Sequence, residues 1–160
     1  MGYSTVKIHV RVNSAEDERK VKEYFESKCS GADDFIEDVP EEFISQPEYL
    51  SICSDKVRFD NFEMIAEELS GTLGMDVLVA LVFDSDVAVI EGYSSGIKIL
   101  EEVNSTEEKK KMDRKLFVER FAPNCTEEQI ASIWDNGIDV FAEDILVEMG
   151  EIMGIKLLLD

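Results

Sequence analysis

The stretch VLVALVFDSDVAVI, at residues 77–90, decides the fold of this chain of 160 amino acids. Its first half, residues 77–83, is apolar at every position, which is typical of a strand covered on both faces of a sheet. The polar DSD at residues 84–86 predicts a tight turn into a second strand at residues 87–90. Because strands joined by so short a turn are antiparallel, the stretch predicts a hairpin that contains the central strand of an antiparallel sheet.

Further strands are predicted on both sides of this hairpin. A turn at residues 92–96 leads into a strand at residues 97–103, which extends the hairpin into a meander. Residues 5–12 alternate strictly between apolar and polar side chains, which predicts a half-buried strand with its polar face, including His9, in solvent. Residues 50–59 form a poorer strand pattern, and the mostly apolar segment at residues 155–159 is compatible with a final strand.

Helical spacing of apolar residues predicts about five helices. The first begins near Ser14, the second ends at Gly71 or Gly74, and the other three follow residue 103. The last helix is predicted to bury an apolar face formed by Ile138, Phe141, Ile145, Met149 and Ile152. Residues 30–48 predict an acidic loop with one helical turn after Pro40.

The order of these elements predicts an α+β fold, in which a mainly antiparallel sheet of about five to six strands packs with about five helices. No internal repeat and no Gly-, Ser- or Pro-rich linker interrupts the sequence. We therefore expect a single domain over residues 1–160.

Acidic side chains dominate the composition, since 36 Asp and Glu residues stand against 16 Lys and Arg, for a net charge of −20. Such a field repels polyanions, which excludes attachment to nucleic acid or to an anionic membrane by overall charge. The hydrophobic content of 44% excludes an acidic disordered chain. No apolar run approaches the roughly 18 residues that span a bilayer, and no secretory signal is recognisable. We expect a soluble, cytoplasmic protein whose three cysteines are free thiols.

One string, GYSSG at residues 92–96, matches the GxSxG motif of serine hydrolases. In those enzymes the serine lies on a turn from a strand to a helix, and the Asp and His partners follow later in the chain. Here the next residues predict a strand, and the only histidine, His9, precedes the serine. We therefore expect a glycine-flanked hairpin loop at this position and a protein that is not an enzyme.

Other candidate chemical groups are weaker. His9 is a candidate general base because imidazole titrates near neutral pH, but its place between charged neighbours favours a solvated side chain. One histidine is too few for a His-based zinc site. Asp33 and Asp34 are candidate ligands of a divalent cation without EF-hand spacing, and no phosphate-binding loop occurs. No cofactor and no metal site is predicted.

The negative charge is confined to two segments. Residues 1–28 and 98–120 each carry a net charge of +1, whereas residues 29–97 carry −14 and residues 121–160 carry −8. Solubility of a small domain requires a net charge of only about 2–8 in magnitude. The predicted partner-binding residues come from the stretch between Lys28 and Lys56, which contains no cation: Asp33, Asp34, Glu37, Asp38, Glu41, Glu42 and Glu48.

These features favour an acidic inhibitor that binds a basic partner protein, with carboxylates in the place of nucleic-acid phosphates. In size, charge and fold class the chain resembles bacterial toxin-immunity proteins and phage or plasmid anti-restriction proteins. That resemblance implies a basic partner, such as a toxin or nuclease domain, and no direct contact with nucleic acid or a membrane. Two alternatives stay open: a non-catalytic regulatory or scaffold domain, and a carboxylate-dependent enzyme, in which two carboxyl groups should converge in a pocket.

Overall fold

The computed structural model describes residues 2–29, 42–53, 57–105, 112–136 and 141–159, and it has the predicted α+β architecture. The strands in these ranges are β1 (Thr5–Arg11), β2 (Glu42–Gln46), β3 (Tyr49–Cys53), β4 (Val77–Phe83), β5 (Val87–Ser94) and β6 (Ile97–Ser105). The helices are α1 (Ala15–Cys29), α2 (Phe62–Leu73), α3 (Arg114–Arg120), α4 (Glu127–Trp134) and α5 (Ala142–Met153). The six strands form one antiparallel sheet in the order β2-β3-β1-β4-β5-β6.

The predicted central strand is confirmed. Every residue of β4 from Val77 to Val82 is buried, and the strand pairs with β1 on one side and with β5 on the other. Residues 84–86 turn the chain into β5, and β6 completes the meander. The chain's first strand, β1, lies between β3 and β4 and thereby joins the β2–β3 hairpin to the meander.

Helices cover both faces of this sheet. α1 and α2 pack on the face formed by alternate residues of β1, such as Val6, Ile8 and Val10. α3, α4, α5 and the segment at residues 155–158 pack on the opposite face, around Leu78 and Ala80 of β4. This double cover explains why β4 is apolar at every position, since an antiparallel strand with one wet face would alternate.

Several sequence-based predictions are corrected here. Residues 42–46 form β2 rather than part of a loop, because β3 supplies a partner strand that the local pattern does not reveal. Residues 155–159 are not a strand, since side chains of the sheet bind their backbone instead. Phe141 precedes α5 and is 52% exposed, so it is not part of the buried face of that helix.

Candidate functional site

Most of the predicted partner-binding carboxylates are not among the side chains that the structure describes. Asp33, Asp34, Glu37, Asp38 and Glu41 lie outside the described residues, and Glu42 begins β2 with a side chain that is not described. Their grouping into one binding surface therefore stays a prediction. The candidacy of Asp33 and Asp34 as metal ligands also falls outside the described residues.

Glu48, the remaining member of that set, makes structural contacts. It lies in the two-residue turn between β2 and β3 with a φ of 65°, and its carbonyl oxygen accepts a hydrogen bond from the Val12 backbone N–H. Its carboxylate accepts hydrogen bonds from the Arg11 guanidinium at 2.9 Å and from the Asn124 amide at 3.1 Å. Glu48 thus ties the hairpin to β1 and to the loop before α4.

The GYSSG string is a hairpin, as expected. Ser95 and Gly96 form a two-residue turn between β5 and β6, and both have positive φ, which suits the type I′ turns of tight hairpins. The first glycine of the motif, Gly92, has a packing role, since a Cβ there would lie 2.4 Å from the Phe121 ring. Ser94 accepts a hydrogen bond from the Arg120 guanidinium. Both glycines of the motif therefore have structural explanations.

His9 is fully buried, which corrects the prediction of a solvated side chain. The polar face of β1 is covered by the C-terminal segment, which the alternation within β1 does not reveal. The His9 Nε2–H donates to the carbonyl oxygen of Leu157 at 2.7 Å, so Nδ1 accepts from the Ser51 hydroxyl at 2.6 Å. Burial lowers the pKa of His9 to about 4, although the bond to Leu157 acts in the opposite direction. His9 is therefore a neutral anchor for the C-terminal segment.

Gln46 supplies a second anchor for the same segment. Its amide oxygen accepts from the Lys156 N–H at 2.7 Å, and its amide nitrogen donates to the Lys156 carbonyl at 3.1 Å. The same nitrogen donates to the Ser51 hydroxyl at 2.8 Å, which links it to His9. Side chains of β1 and β2, linked through Ser51 of β3, thus hold residues 156 and 157 against the sheet.

Three carboxylates surround one lysine on the other side of the molecule. Lys98 Nζ lies 2.8 Å from Glu101, 3.2 Å from Glu63 and 3.6 Å from Glu91. Tyr93 donates from its hydroxyl to Glu91 at 2.5 Å. These five residues are the Lys98 cluster. The pairing of β5 with β6 places Glu91 opposite Glu101, and α2 contributes Glu63.

The environment of the Lys98 cluster separates the proton affinities of its members. Glu91 is only 4% exposed, and this burial raises its pKa, while the hydrogen bond from Tyr93 and the charge of Lys98 oppose the shift. The hydrogen bond from Lys98 lowers the pKa of Glu101. Partial burial of Lys98 acts to lower its pKa, but its bonds to Glu101 and Glu63 raise it overall. The three carboxylates converge on one ammonium group, which offsets one of their negative charges.

A second group of carboxylates lies on α5 without any such cation. Glu143, Asp144, Glu148 and Glu151 form the α5 acidic face, and the helix contains no Lys or Arg. None of the four pairs with a cation within the described ranges. Glu143 accepts from the Ser85 hydroxyl at 3.1 Å, and its other carboxylate oxygen is buried without a hydrogen-bond partner.

A groove of about 450 Å³ runs beside this face, and its wall is mostly apolar. The residues that line it are Tyr3, Glu143, Val147, Glu151, Ile155, Lys156, Leu157, Leu158 and Leu159. We call it the α5 groove. Val147 is 50% exposed and lies one helical turn from each of Glu143 and Glu151. Lys156 is the sole cation in this lining.

Sequence reasoning identified neither the Lys98 cluster nor the α5 groove. The cluster depends on strand register, which sets Glu91 against Glu101 and is not readable from one strand. The groove depends on where residues 155–159 dock. One feature of the sequence does indicate the α5 acidic face: residues 121–160 contain nine acidic residues and a single cation.

Among the described residues, no three His, Cys, Asp or Glu side chains are grouped so as to hold a metal ion. In the same ranges no helix is long and apolar enough to cross a membrane. Comparison of the chain with protein-family models, with curated protein sequences and with solved structures gave no significant match.

Proposed function

We propose that this protein is an acidic inhibitor that binds and blocks the basic surface of a partner protein, in the manner of a toxin-immunity protein, and that it acts without catalysis. The observation that carries the proposal is the α5 acidic face, where four carboxylates lie on one helix and pair with no described cation. The partner we propose is a basic protein, such as a toxin or nuclease domain.

The spacing of these carboxylates supports collective binding. A helix of 12 residues is about 18 Å long. The Debye length at physiological ionic strength is about 8 Å, so neighbouring charges on α5 act on a partner together. Carboxylates that each carry a lysine or arginine partner would contribute much less, because their field is cancelled locally. A row of unpaired carboxylates attracts cations from a distance and accelerates association with a basic partner.

The conformation of the chain also supports binding rather than catalysis. The GYSSG motif is a hairpin turn, His9 is enclosed with a lowered pKa, and the converging carboxylates of the Lys98 cluster hold an ammonium group. Each candidate catalytic group in the described ranges therefore has a structural partner. On the α5 acidic face, by contrast, the carboxylates of Asp144, Glu148 and Glu151 are exposed and pair with no described cation.

The test begins with capture of the partner from the source cell at 50 mM salt, followed by measurement of the affinity of the purified pair. We expect affinity and association rate to fall steeply as salt rises from 50 to 500 mM. The triple variant Asp144→Asn, Glu148→Gln and Glu151→Gln should slow association about tenfold at 50 mM salt. Glu143 is left intact because it contacts Ser85.

Two further variants locate the binding surface. The control Glu16→Gln with Arg19→Gln removes an ion pair without changing the net charge, so its association rate should stay within about twofold of the parent. The variant Asp33→Asn with Asp34→Asn, Glu37→Gln and Asp38→Asn tests the surface predicted from sequence. Affinity that did not change between 50 and 500 mM salt would refute the electrostatic mechanism.

A further inference from the structure

We propose that the α5 groove receives one large apolar side chain of the partner, presented between two cations in an extended segment of the pattern cation-x-apolar-x-cation. This inference rests on the proposed function and names the chemistry of the segment that the α5 acidic face would bind.

The apolar part of the pattern follows from the lining of the groove. Val147 interrupts the row of α5 carboxylates and is half exposed. Ile155, Leu157 and Leu159 line the same groove, in the segment that the anchors at His9 and Gln46 hold. The volume of about 450 Å³ falls within the range of about 300–1,000 Å³ typical of ligand sites. The groove therefore has room for a large apolar side chain.

The cationic part follows from the residues on either side of Val147. Glu143 and Glu151 line the same groove, four residues before and four residues after it. One buried carboxylate oxygen of Glu143 has no hydrogen-bond partner. A guanidinium or ammonium group in the groove would be attracted to this carboxylate and to that of Glu151, and charge-assisted hydrogen bonds are among the stronger hydrogen bonds in proteins.

The spacing follows from helix and strand geometry. Four residues of an α-helix rise about 6 Å, so the carboxylates stand about 6 Å to each side of Val147 along the axis. Two residues of an extended chain span about 6.6 Å and point their side chains to the same face. An extended segment with an apolar residue in the groove therefore presents its second neighbours to Glu143 and Glu151.

Charge selects a basic partner over the alternatives. A second copy of this chain would bring its own α5 carboxylates against this face, where like charges repel. The chain's own basic run at residues 109–111 lies outside the described residues and is treated as a competing occupant in the test.

The probe is the capped peptide RSLSR, added to the full chain labelled with ¹⁵N. Two capped controls have the same net charge: RSSSR lacks the apolar residue, and RRLSS has the same composition in the wrong spacing. We expect RSLSR to bind about tenfold tighter than either control, because burial of a leucine side chain is favourable. The amide signals that shift should include those of Val147, Ile155 and Leu157.

Two variants connect the preference to the groove. Val147→Ser should reduce the preference for RSLSR over RSSSR to less than about twofold, while RSSSR binds as before. Val147→Lys places a cation in the groove and should weaken all three peptides. Since Val147 is half exposed, both variants should fold, which a circular dichroism spectrum checks.

The outcomes separate the two proposals. Equal, salt-dependent binding of all three peptides would refute the apolar anchor and leave the acidic inhibitor intact. An absence of peptide binding, together with a partner complex insensitive to salt, would refute the proposed function.

A dimer of the parent that Val147→Lys dissociates would assign the groove to a second copy. The variant with Lys109, Lys110 and Lys111 changed to Gln tests the chain's own basic run. If the amide signals of the groove shift in this variant without peptide, the groove is occupied by that run.

Discussion

The Lys98 cluster and the α5 acidic face both gather carboxylates, but only the first contains a cation. In the cluster, Lys98 contacts Glu63, Glu91 and Glu101, and Glu91 is buried. On α5, four carboxylates lie along 12 residues without Lys or Arg. The comparison shows that the placement of the few cations, rather than the number of acids, decides where the surface is negative.

The same distinction extends to other carboxylates of the described residues. Arg19 pairs with Glu16 and Glu23 on α1, and Arg120 pairs with Asp76. Ion pairs at exposed positions contribute little to stability, about 0–1 kcal/mol each. Their larger effect here is on the field, since each cancels a charge that a partner would otherwise detect. Among the described helices, α5 therefore carries the largest group of carboxylates that pair with no described cation.

Acid should have the largest effect on stability, and it should act on buried His9 and on the Lys98 cluster in opposite directions. The folded state requires neutral His9, whose pKa is about 4 there and 6.5 when the chain is unfolded. The stability that comes from keeping His9 neutral is fully present above pH 6.5. It is lost as the pH falls toward 4, and the free energy of unfolding decreases by about 3 kcal/mol as a result. At the Lys98 cluster the sign is opposite, because burial raises the pKa of Glu91 and a folded chain binds that proton more readily. Urea denaturation at pH values from 7 to 4 measures the combined effect of His9 and Glu91 on the free energy of unfolding.

The contribution of His9 can be isolated by substitution. His9→Gln keeps a donor for the Leu157 carbonyl but does not titrate, so its stability should fall less between pH 6.5 and pH 4 than that of the parent. The protection of the amides at residues 155–159, measured relative to their intrinsic exchange rate at each pH, should fall with acid more in the parent than in the variant. Equal pH dependence of the two proteins would contradict the assignment to His9.

Removal of the cation from the Lys98 cluster should have the next largest effect. Lys98→Met keeps the length of the side chain and deletes the charge next to buried Glu91. We expect a loss of about 2 kcal/mol of unfolding free energy at pH 7, below the roughly 3–5 kcal/mol of fully buried pairs because Lys98 is partly exposed. The loss should shrink at pH 5, where Glu91 is more protonated. Denaturant titration at both values measures it.

A second substitution checks the cause of that loss. Lys98→Met combined with Glu91→Gln removes both charges and should recover much of the stability of the parent. A double variant as unstable as the single one would show that Lys98 acts through packing of its alkyl chain.

Neutralisation on α5 should have the smallest effect on stability. Glu148→Gln removes a carboxylate that is exposed and pairs with no described cation, so the unfolding free energy should change by less than about 0.5 kcal/mol. Relief of repulsion with Asp144, four residues earlier, favours a small gain. Thermal denaturation measures the shift, and a loss above about 1 kcal/mol would indicate an interaction of Glu148 that the structure does not contain.

The local patterns predicted the strands and helices better than they predicted what covers them. The unbroken apolar run of β4 predicted its central place because burial on both faces leaves no position for a polar residue. The strict alternation of β1 predicted a wet face, yet His9 on that face is enclosed by a segment almost 150 residues later in the chain. A strand's own sequence shows which residues share a face but not which distant segment docks there.

The candidate site could be predicted only as a charge imbalance. The scarcity of cations in residues 121–160 was visible in the sequence, whereas the α5 groove requires the fold. His9 of β1 and Gln46 of β2 must first hold residues 156 and 157 beside α5. The mostly apolar sequence of residues 155–159 predicts a strand, because periodicity does not distinguish a strand at the edge of the sheet from a segment packed across the sheet.

The position of β1 between β3 and β4 has a consequence for how the chain is made. Both neighbours of β1 are synthesised after it, and β4 begins 66 residues beyond its end. At usual translation rates β1 therefore waits for several seconds with both edges unpaired. The β2–β3 hairpin and the β4–β6 meander are local and can form first. We expect assembly of the sheet to end with the insertion of its earliest strand between two units that are already formed.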